Sequence, residues 1–293
     1  MKPSFGEKIF YGFNYVLLGL FGISCILPII HIASLSLSSE HAVLSGFVGL
    51  WPVGFTLDSY KLLIEGTRIV NAFRNSVEIT VIGTMLNLFF TILAAYPLSR
   101  TYFYGRKPLT LLILFTMLFS AGLIPSYLLV KSLGLVNTYG ALWLPGLVGV
   151  YNLLVLKTFF ENIPRELEDA ARIDGCSETR LIMQIMLPLS MPVIATLVLF
   201  YAVGLWNSFF GVIIYINSSE KHNLTVLVQQ MIMNNQLAQQ VTEGRLNEDM
   251  MESVTPQSIQ SAGVITMIVP MLIVYPFLQK YFVKGVMIGS IKG

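Results

Sequence analysis

Residues 9–39 read IFYGFNYVLLGLFGISCILPIIHIASLSLSS, a run without one Asp, Glu, Lys or Arg. A helix rises 1.5 Å per residue, so about 20 apolar residues cross a hydrocarbon layer ~30 Å thick. This run exceeds that need. It also exceeds the roughly 7–15-residue apolar core of a cleavable signal, so it reads as a retained membrane helix although Lys2 and Lys8 precede it. Outward from it, five more charge-free runs follow at 79–99, 109–130, 132–156, 181–219 and 253–279. The fifth is too long for one span, and Pro188 and Pro192 interrupt it early. Spans are therefore expected at about 9–38, 76–99, 109–130, 137–156, 191–216 and 258–280.

Composition agrees. Of 293 residues 55% are hydrophobic and only 12% charged, with a mean hydropathy of +0.71. A soluble domain carries about 25% charged residues, so too few remain here to coat a water-facing surface. Disordered and disulfide-stapled classes are excluded on the same grounds. A net charge of +2 with scattered Lys and Arg argues against nucleic acid as a partner. The expected fold is all-α and integral to the membrane, a single domain over 1–293 with six transmembrane helices. An even number of spans leaves both termini on one side. Twelve of the eighteen basic residues, from Lys2 and Lys8 through Arg100 and Arg172 to Lys292, fall on that side, which the positive-inside rule assigns to the cytoplasm. Cys25 lies in the first span and Cys176 in a cytoplasmic loop, so both are expected to be reduced.

Several chemistries are missing. Ion-coupled carriers place Asp, Glu, His or Lys inside their spans. None of the six charge-free runs holds a carboxylate, Lys or Arg, and His31 sits near the outer end of the first, where a hydrogen-bonded interfacial role is the plainer reading. The dipeptide Gly-Lys never occurs, so no phosphate-cradling G-x-x-x-x-G-K-[ST] loop exists. His31, His41, His222 and two separate cysteines make no metal set, and no catalytic pair is visible. Uphill transport would need a partner's energy.

The segment 162–189 carries the most information: NIPRELEDAARIDGCS, running on to IMLP at 185–188. Asn162 or Ile163 suits a helix cap and Pro164 a first turn, and Glu166, Glu168 and Asp169 favour the positive helix end. Gly175 suits the left-handed stop, and Ser177 caps a second short helix that Pro188 ends or kinks. Leu167, Ala170, Ala171 and Asp174 share a face by i, i+3, i+4 spacing. The two alanines are expected to leave that face flat enough for another protein to approach. The residues alone equally allow a capped amphipathic helix lying on the membrane or its own bundle.

Asp169-Ala-Ala-x-x-x-Gly175, followed after nine residues by Ile185-x-Leu-Pro188, resembles the "EAA" signature of permease subunits in bacterial ABC importers. Asp169 stands where that family usually has Glu, with Glu168 before it. Other segments are similar to the carbohydrate-importer branch of the MalG type: Arg74-Asn-Ser76, Ala94-Ala-Tyr-Pro-Leu-Ser-Arg100, Gly134-Leu-Val-Asn-Thr138, Trp206-Asn207 and Ser290-Ile-Lys-Gly293. The resemblance covers roughly 70–293 and is narrower to permeases for larger or acidic oligosaccharides, such as the alginate importer. It implies a subunit of the bacterial inner membrane that pairs with a second, homologous permease and with two ATP-binding subunits. An extracytoplasmic solute-binding protein would deliver an oligosaccharide. No cofactor is then expected in this chain, ATP and Mg lying on the partner ATPases. Glu168, Asp169, Ala170, Ala171, Asp174 and Gly175 are implied to couple to the ATPase, with Lys292 in a cytoplasmic tail over 283–293. The alternatives are a self-sufficient channel or secondary carrier, which the carboxylate-free spans disfavour, and a membrane enzyme, for which no catalytic constellation exists.

Polar and aromatic residues within spans, Asn87, Tyr96, Tyr151, Asn152, Tyr201, Trp206 and Asn207, suit sugar hydroxyls and ring faces, though amides also bond neighbouring helices and aromatics fill cores. The external stretch 217–252 is long for a connection. Leu224, Val226, Leu227, Val228, Met231 and Ile232 suggest a short amphipathic helix on the outer face. Amides at Asn234, Asn235 and Gln236 are expected to contact the binding protein, a carry-over of position from the maltose-importer type.

Overall fold

The computed structural model describes residues 4–241 and 255–290, and side chains over 4–234 and 255–276. Among them every regular element is helical. The chain divides into two units, one built from residues up to Ile69 with Val228–Val269, the other from Val70–Leu227 with residues from Pro270 onward.

In the first unit α1 (Phe5–Ser36) begins at a capping box. Ser4 Oγ accepts from the Glu7 amide at 3.3 Å, and Glu7 Oε2 accepts from the Ser4 amide at 2.6 Å. None of its most apolar 18-residue window is buried within the chain, so α1 must find its apolar surroundings outside it. Its C-terminal end is wrapped by the following loop. Ser39 N donates to Val53 O at 3.0 Å, Thr56 N to Leu37 O at 3.0 Å, and Ser34 Oγ to Leu50 O at 2.7 Å. His31 Nδ1 lies 2.9 Å from Gly49 O, the hydrogen-bonded role expected of it. Leu35, Val48 and Ala42 and Val43 of α2 (Glu40–Leu44) close a small core there. α3 (Asp58–Gly66) follows.

The second unit holds most of α4 (Ile69–Ser99), then α5 (Arg106–Leu118), α6 (Leu123–Ser132), α7 (Gly140–Trp143) and α8 (Val150–Glu161). After these come α9 (Arg165–Ile173) and α10 (Glu178–Leu181). A π turn at Ile182–Met186 leads into α11 (Leu187–Leu189), and α12 (Met191–Trp206) and α13 (Phe210–Tyr215) complete the series. Its core gathers Ala95, Tyr96 and Leu98 of α4, Leu153, Leu156 and Phe160 of α8, Ala171 of α9, and Val193, Ile194 and Leu197 of α12. α4 approaches its neighbours closely at Gly83, where an added Cβ would lie 2.7 Å from Leu205 Cδ1 and 2.8 Å from Trp143 Cδ1. Only a hydrogen fits.

Helix continuity departs from the sequence reading at five places. α4 starts at Ile69, ten residues before the charge-free run and seven before the expected span, so Arg74 also joins the helix that carries Glu78. The expected span 109–130 is two helices bent by 116° at a break ending in Gly122, whose φ is +83°. The expected span 137–156 is α7, an irregular link, and α8; the 12 residues of α8 rise about 18 Å, short of a bilayer. The expected span 191–216 breaks between α12 and α13, and the chain before it bends by 84° at Ser190. Helix α15 (Pro256–Ser290) passes through Pro270 and Pro276 and runs ten residues beyond the expected end at 280, so the 283–290 part of the tail has a helical backbone. Among the described residues three helical segments are long and apolar enough to cross a membrane: α1, α4 and Pro256–Pro276. Each bent pair adds one more if it counts as a single span. Helix α14 (Leu224–Val241) is longer than the short helix expected, and the expected loop beyond 241 lies outside the described residues.

Candidate functional site

The segment after α8 folds as two helices at a corner. Asn162 does not cap α9, since its amide turns back to donate to Thr158 O at 2.9 Å. Pro164 precedes the helix and buried Ile163 anchors its entry. The stop is a Schellman motif: Gly175 N donates to Arg172 O at 3.0 Å and Cys176 N to Ala171 O at 2.9 Å, with Gly175 at φ +75°. Ser177 Oγ then accepts from Arg180 N at 3.4 Å and starts α10. This much follows from glycine, serine and proline at their spacing.

The faces of α9 differ from expectation. Leu167, Asp169, Ala170 and Asp174 are exposed, but Ala171 is only 7% exposed and belongs to the core. The two alanines therefore do not form one open face. Ala171 seats the helix and Ala170 presents its methyl outward. Leu167, Ala170, Ala171 and Asp174 do line one wall of a concavity of ≈ 390 Å³, with Cys176, Arg180, Gln184 and Ile185 on the other. It is open, mixed in polarity and bounded by a helix ending in a fixed turn.

Glu168 is a second departure, because its carboxylate points inward rather than toward a partner. It is 8% exposed, and its Oε2 accepts from Arg100 Nη1 at 2.5 Å. Its Oε1 accepts from Arg172 Nη2 at 3.0 Å. Arg172 also reaches Glu178 Oε1 at 2.5 Å and Tyr102 Oη at 2.9 Å, with its guanidinium 5.1 Å from the Tyr102 ring centre. Tyr96 Oη donates to the other Glu178 oxygen. Burial works against the Arg172 charge, yet the hydrogen bond to Glu168 and the charges of Glu178, Tyr102 and Glu168 together outweigh it, and its pKa stands above the ordinary value. Glu168 is thus engaged within the chain, while Asp169 is the exposed carboxylate. Of this network sequence reasoning placed only Glu168 and missed the roles of Tyr96, Arg100, Arg172 and Glu178. The available signal was Arg100 at the end of an apolar run, since a buried guanidinium requires a carboxylate. Glu161 supports the same corner, accepting from Lys157 at 2.9 Å and pairing with Arg106 at 3.0 Å.

The expected substrate-contact residues separate into two groups. Tyr201 is buried, its hydroxyl 2.6 Å from Thr91 Oγ1 and accepting from Gly149 N at 3.0 Å. Trp206 is buried against Phe73, ring centres 6.0 Å apart. Asn87 and Asn152 are buried as well. These four are packed inside this chain. Tyr151 is 58% exposed beside Phe200, and Asn207 is exposed at the end of α12 with its amide donating to Val203 O. Only these two present polar or aromatic surface outward.

Two of the quoted segments bind loops together. Asn75 Nδ2 donates to Glu220 O at 2.7 Å and His222 O at 2.9 Å, and Ser76 Oγ accepts from Leu224 N at 2.8 Å. Asn137, at φ +65°, accepts from Ser218 N at 3.0 Å and Asn217 N at 3.2 Å. They fix the chain that enters α14. On that helix Asn234 is exposed, while the side chains of Asn235 and Gln236 lie outside the described residues, as does Lys292. Among the described residues no cluster of His, Cys, Asp and Glu is suited to a metal.

Residues 80–288 match the family described as binding-protein-dependent transport system inner membrane component. The chain is 42% identical over 294 residues to the polygalacturonan/rhamnogalacturonan transport system permease protein YtcP of Bacillus subtilis (strain 168), covering 100% of both. It is 44% identical over 288 residues to protein LplC of the same strain, covering 98% of this chain and 96% of LplC. Its structure is similar to a chain in the crystal structure of a bacterial ABC transporter involved in the import of the acidic polysaccharide alginate. There the TM-score is 0.86 with 31% identity, over 96% of this chain and 99% of the other.

Proposed function

The chain belongs to the family of binding-protein-dependent transport system inner membrane components, and on that premise we propose that it is one permease subunit of an ATP-driven oligosaccharide importer. It pairs with a second, homologous permease in the inner membrane and with two ATP-binding subunits that carry ATP and Mg. A solute-binding protein supplies the substrate from outside. The substrate class is an oligosaccharide of an acidic polysaccharide, a reading supported by the names of the similar polygalacturonan/rhamnogalacturonan permease YtcP and of the transporter for the acidic polysaccharide alginate. Of the expected contact residues Tyr151 and Asn207 face outward and neither is charged, so neutral amide and aromatic contacts recognise the sugar.

In this reading the chain crosses the membrane six times with both termini in the cytoplasm, α7 and α8 together making one crossing and each bent pair another; the six charge-free runs support the count and the basic asymmetry the orientation. The segment 162–189 faces the cytoplasm and receives the ATPase. One observation carries this: the exposed Leu167, Ala170 and Asp174 wall, stopped by Gly175, beside an open concavity. Nucleotide-driven closure of the partner moves α9 as a rigid body and tilts the helices attached to it. The ATPase subunits should co-purify with this chain, and Ala170→Trp should weaken that association and abolish ATP-driven uptake. Unimpaired uptake in Ala170→Trp would refute the docking face.

A further inference from the structure

Arg100 closes α4, and no role in transport follows for it from the docking face. Its position is nevertheless singular. The side chain is 6% exposed, and its guanidinium meets three other elements at once. Nη1 donates to Glu168 on α9 at 2.5 Å, and Nη2 donates to the Phe160 carbonyl in the last turn of α8 at 3.3 Å. Nη2 also lies 3.8 Å from Met186 Sδ in the π turn. The Tyr96 ring lies 5.0 Å away, one turn back on α4. A cation at the carbonyl end of α8 is also favoured by that helix's dipole.

From this geometry we propose that Arg100 is a positioning residue, the mechanical tie through which displacement of α9 reaches α4 and α8; the inference rests on the importer reading above. The physical reason is stiffness. α9 is joined covalently to α8 by Asn162–Pro164 and to the next helix through the Gly175 turn, and neither connection reaches α4. An ion pair shielded from water with a planar, two-pronged donor resists both stretching and rotation, and it spans α9, α8 and the end of α4. The Arg172 bonds to Glu168 and Glu178 hold α9 to α10 but reach neither α4 nor α8 directly. Arg100 alone among these charged side chains contacts the ends of both longer helices. Movement of α9 then carries them along, and without the tie only the apolar seat of Ala171 and the Tyr96–Glu178 hydrogen bond through α10 still link α9 to them.

The test uses the complete complex in proteoliposomes, reading sugar imported per ATP hydrolysed. Arg100→Met should lower that ratio about tenfold, within the range by which single residues on a coupling route act, while the ATPase subunits still co-purify. If Arg100→Met does not assemble, Arg100→Lys serves. It keeps the buried charge but loses the fork that spans Glu168 and Phe160, and it too should uncouple. In a chain with Cys25→Ser and Cys176→Ser, Arg100→Cys and Glu168→Cys joined by a short bifunctional thiol reagent should regain the ratio. A purely structural ion pair gives no such recovery. Wild-type import that depends on ATP, combined with an unchanged ratio in Arg100→Met or Arg100→Lys, overturns the tie alone. Import by the wild type that ignores ATP overturns the importer reading and the tie with it. A joined cysteine pair that assembles yet stays uncoupled also overturns the tie.

Discussion

Gly175 sits at φ +75° with nothing within 4 Å of where a Cβ would stand, so the demand for glycine there is one of backbone conformation and not of space. A side chain in the left-handed region costs roughly 1–2 kcal/mol, more when β-branched. Gly175→Val should therefore insert and assemble, yet lose transport because the end of α9 is displaced; uptake together with membrane abundance checks it. Ala171 poses the opposite case. Its methyl is in the core, so Ala171→Trp overpacks α9 against its own bundle and should cost at least about 1–3 kcal/mol. Thermal unfolding of the purified chain without its partners should show a lowered midpoint for Ala171→Trp and an unchanged one for Ala170→Trp. The i, i+3, i+4 rule grouped the two alanines because it registers proximity on a helix and not which flank meets the bundle. Glu168 and Asp169 show the same limit: adjacent carboxylates point to different surroundings, and only the partner, Arg100 from 68 positions away, decides which is buried.

At the scale of elements, the long apolar helices α1 and α4 were legible because uninterrupted hydropathy is a property of the local chain. Charges at a helix start were not. Arg74 and Glu78 extend α4 beyond its apolar run, since a helix continues wherever its backbone bonds are satisfied. The breaks at Phe119–Gly122 and at Asn207–Phe209 were also hidden, because tertiary packing chooses where an apolar run bends. The site's turn chemistry was legible through Gly175 and Ser177, whereas its ion pairs join distant positions and no spacing rule reaches them. Helix α14 bears on the external contact. Its entry is held by Asn75, Ser76 and Asn137, so it leaves a fixed base. Replacing residues 234–240 with a Gly/Ser linker removes the helical backbone there and should leave ATPase activity without binding protein intact while weakening its stimulation by the loaded binding protein. Full stimulation after replacement would make the segment a spacer.

For the whole molecule, few charges, long apolar helices and an α1 left unburied by the rest of the chain require apolar surroundings outside it. The proposed topology rests on the basic asymmetry: reporter fusions after Arg106 and after Glu243 should report opposite sides of the membrane, the first cytoplasmic. Two cytoplasmic reports would reverse the assignment of the segment entering α14. The central claim is that this chain moves sugar only when partners hydrolyse ATP. Its most direct measurement is uptake of a labelled acidic oligosaccharide by proteoliposomes holding the purified complex, with binding protein outside and ATP or no nucleotide on the ATPase side. Accumulation above the external concentration that requires both ATP and the binding protein is the predicted result. Equilibrating uptake that proceeds equally without ATP would contradict it and mark the chain as a channel or carrier.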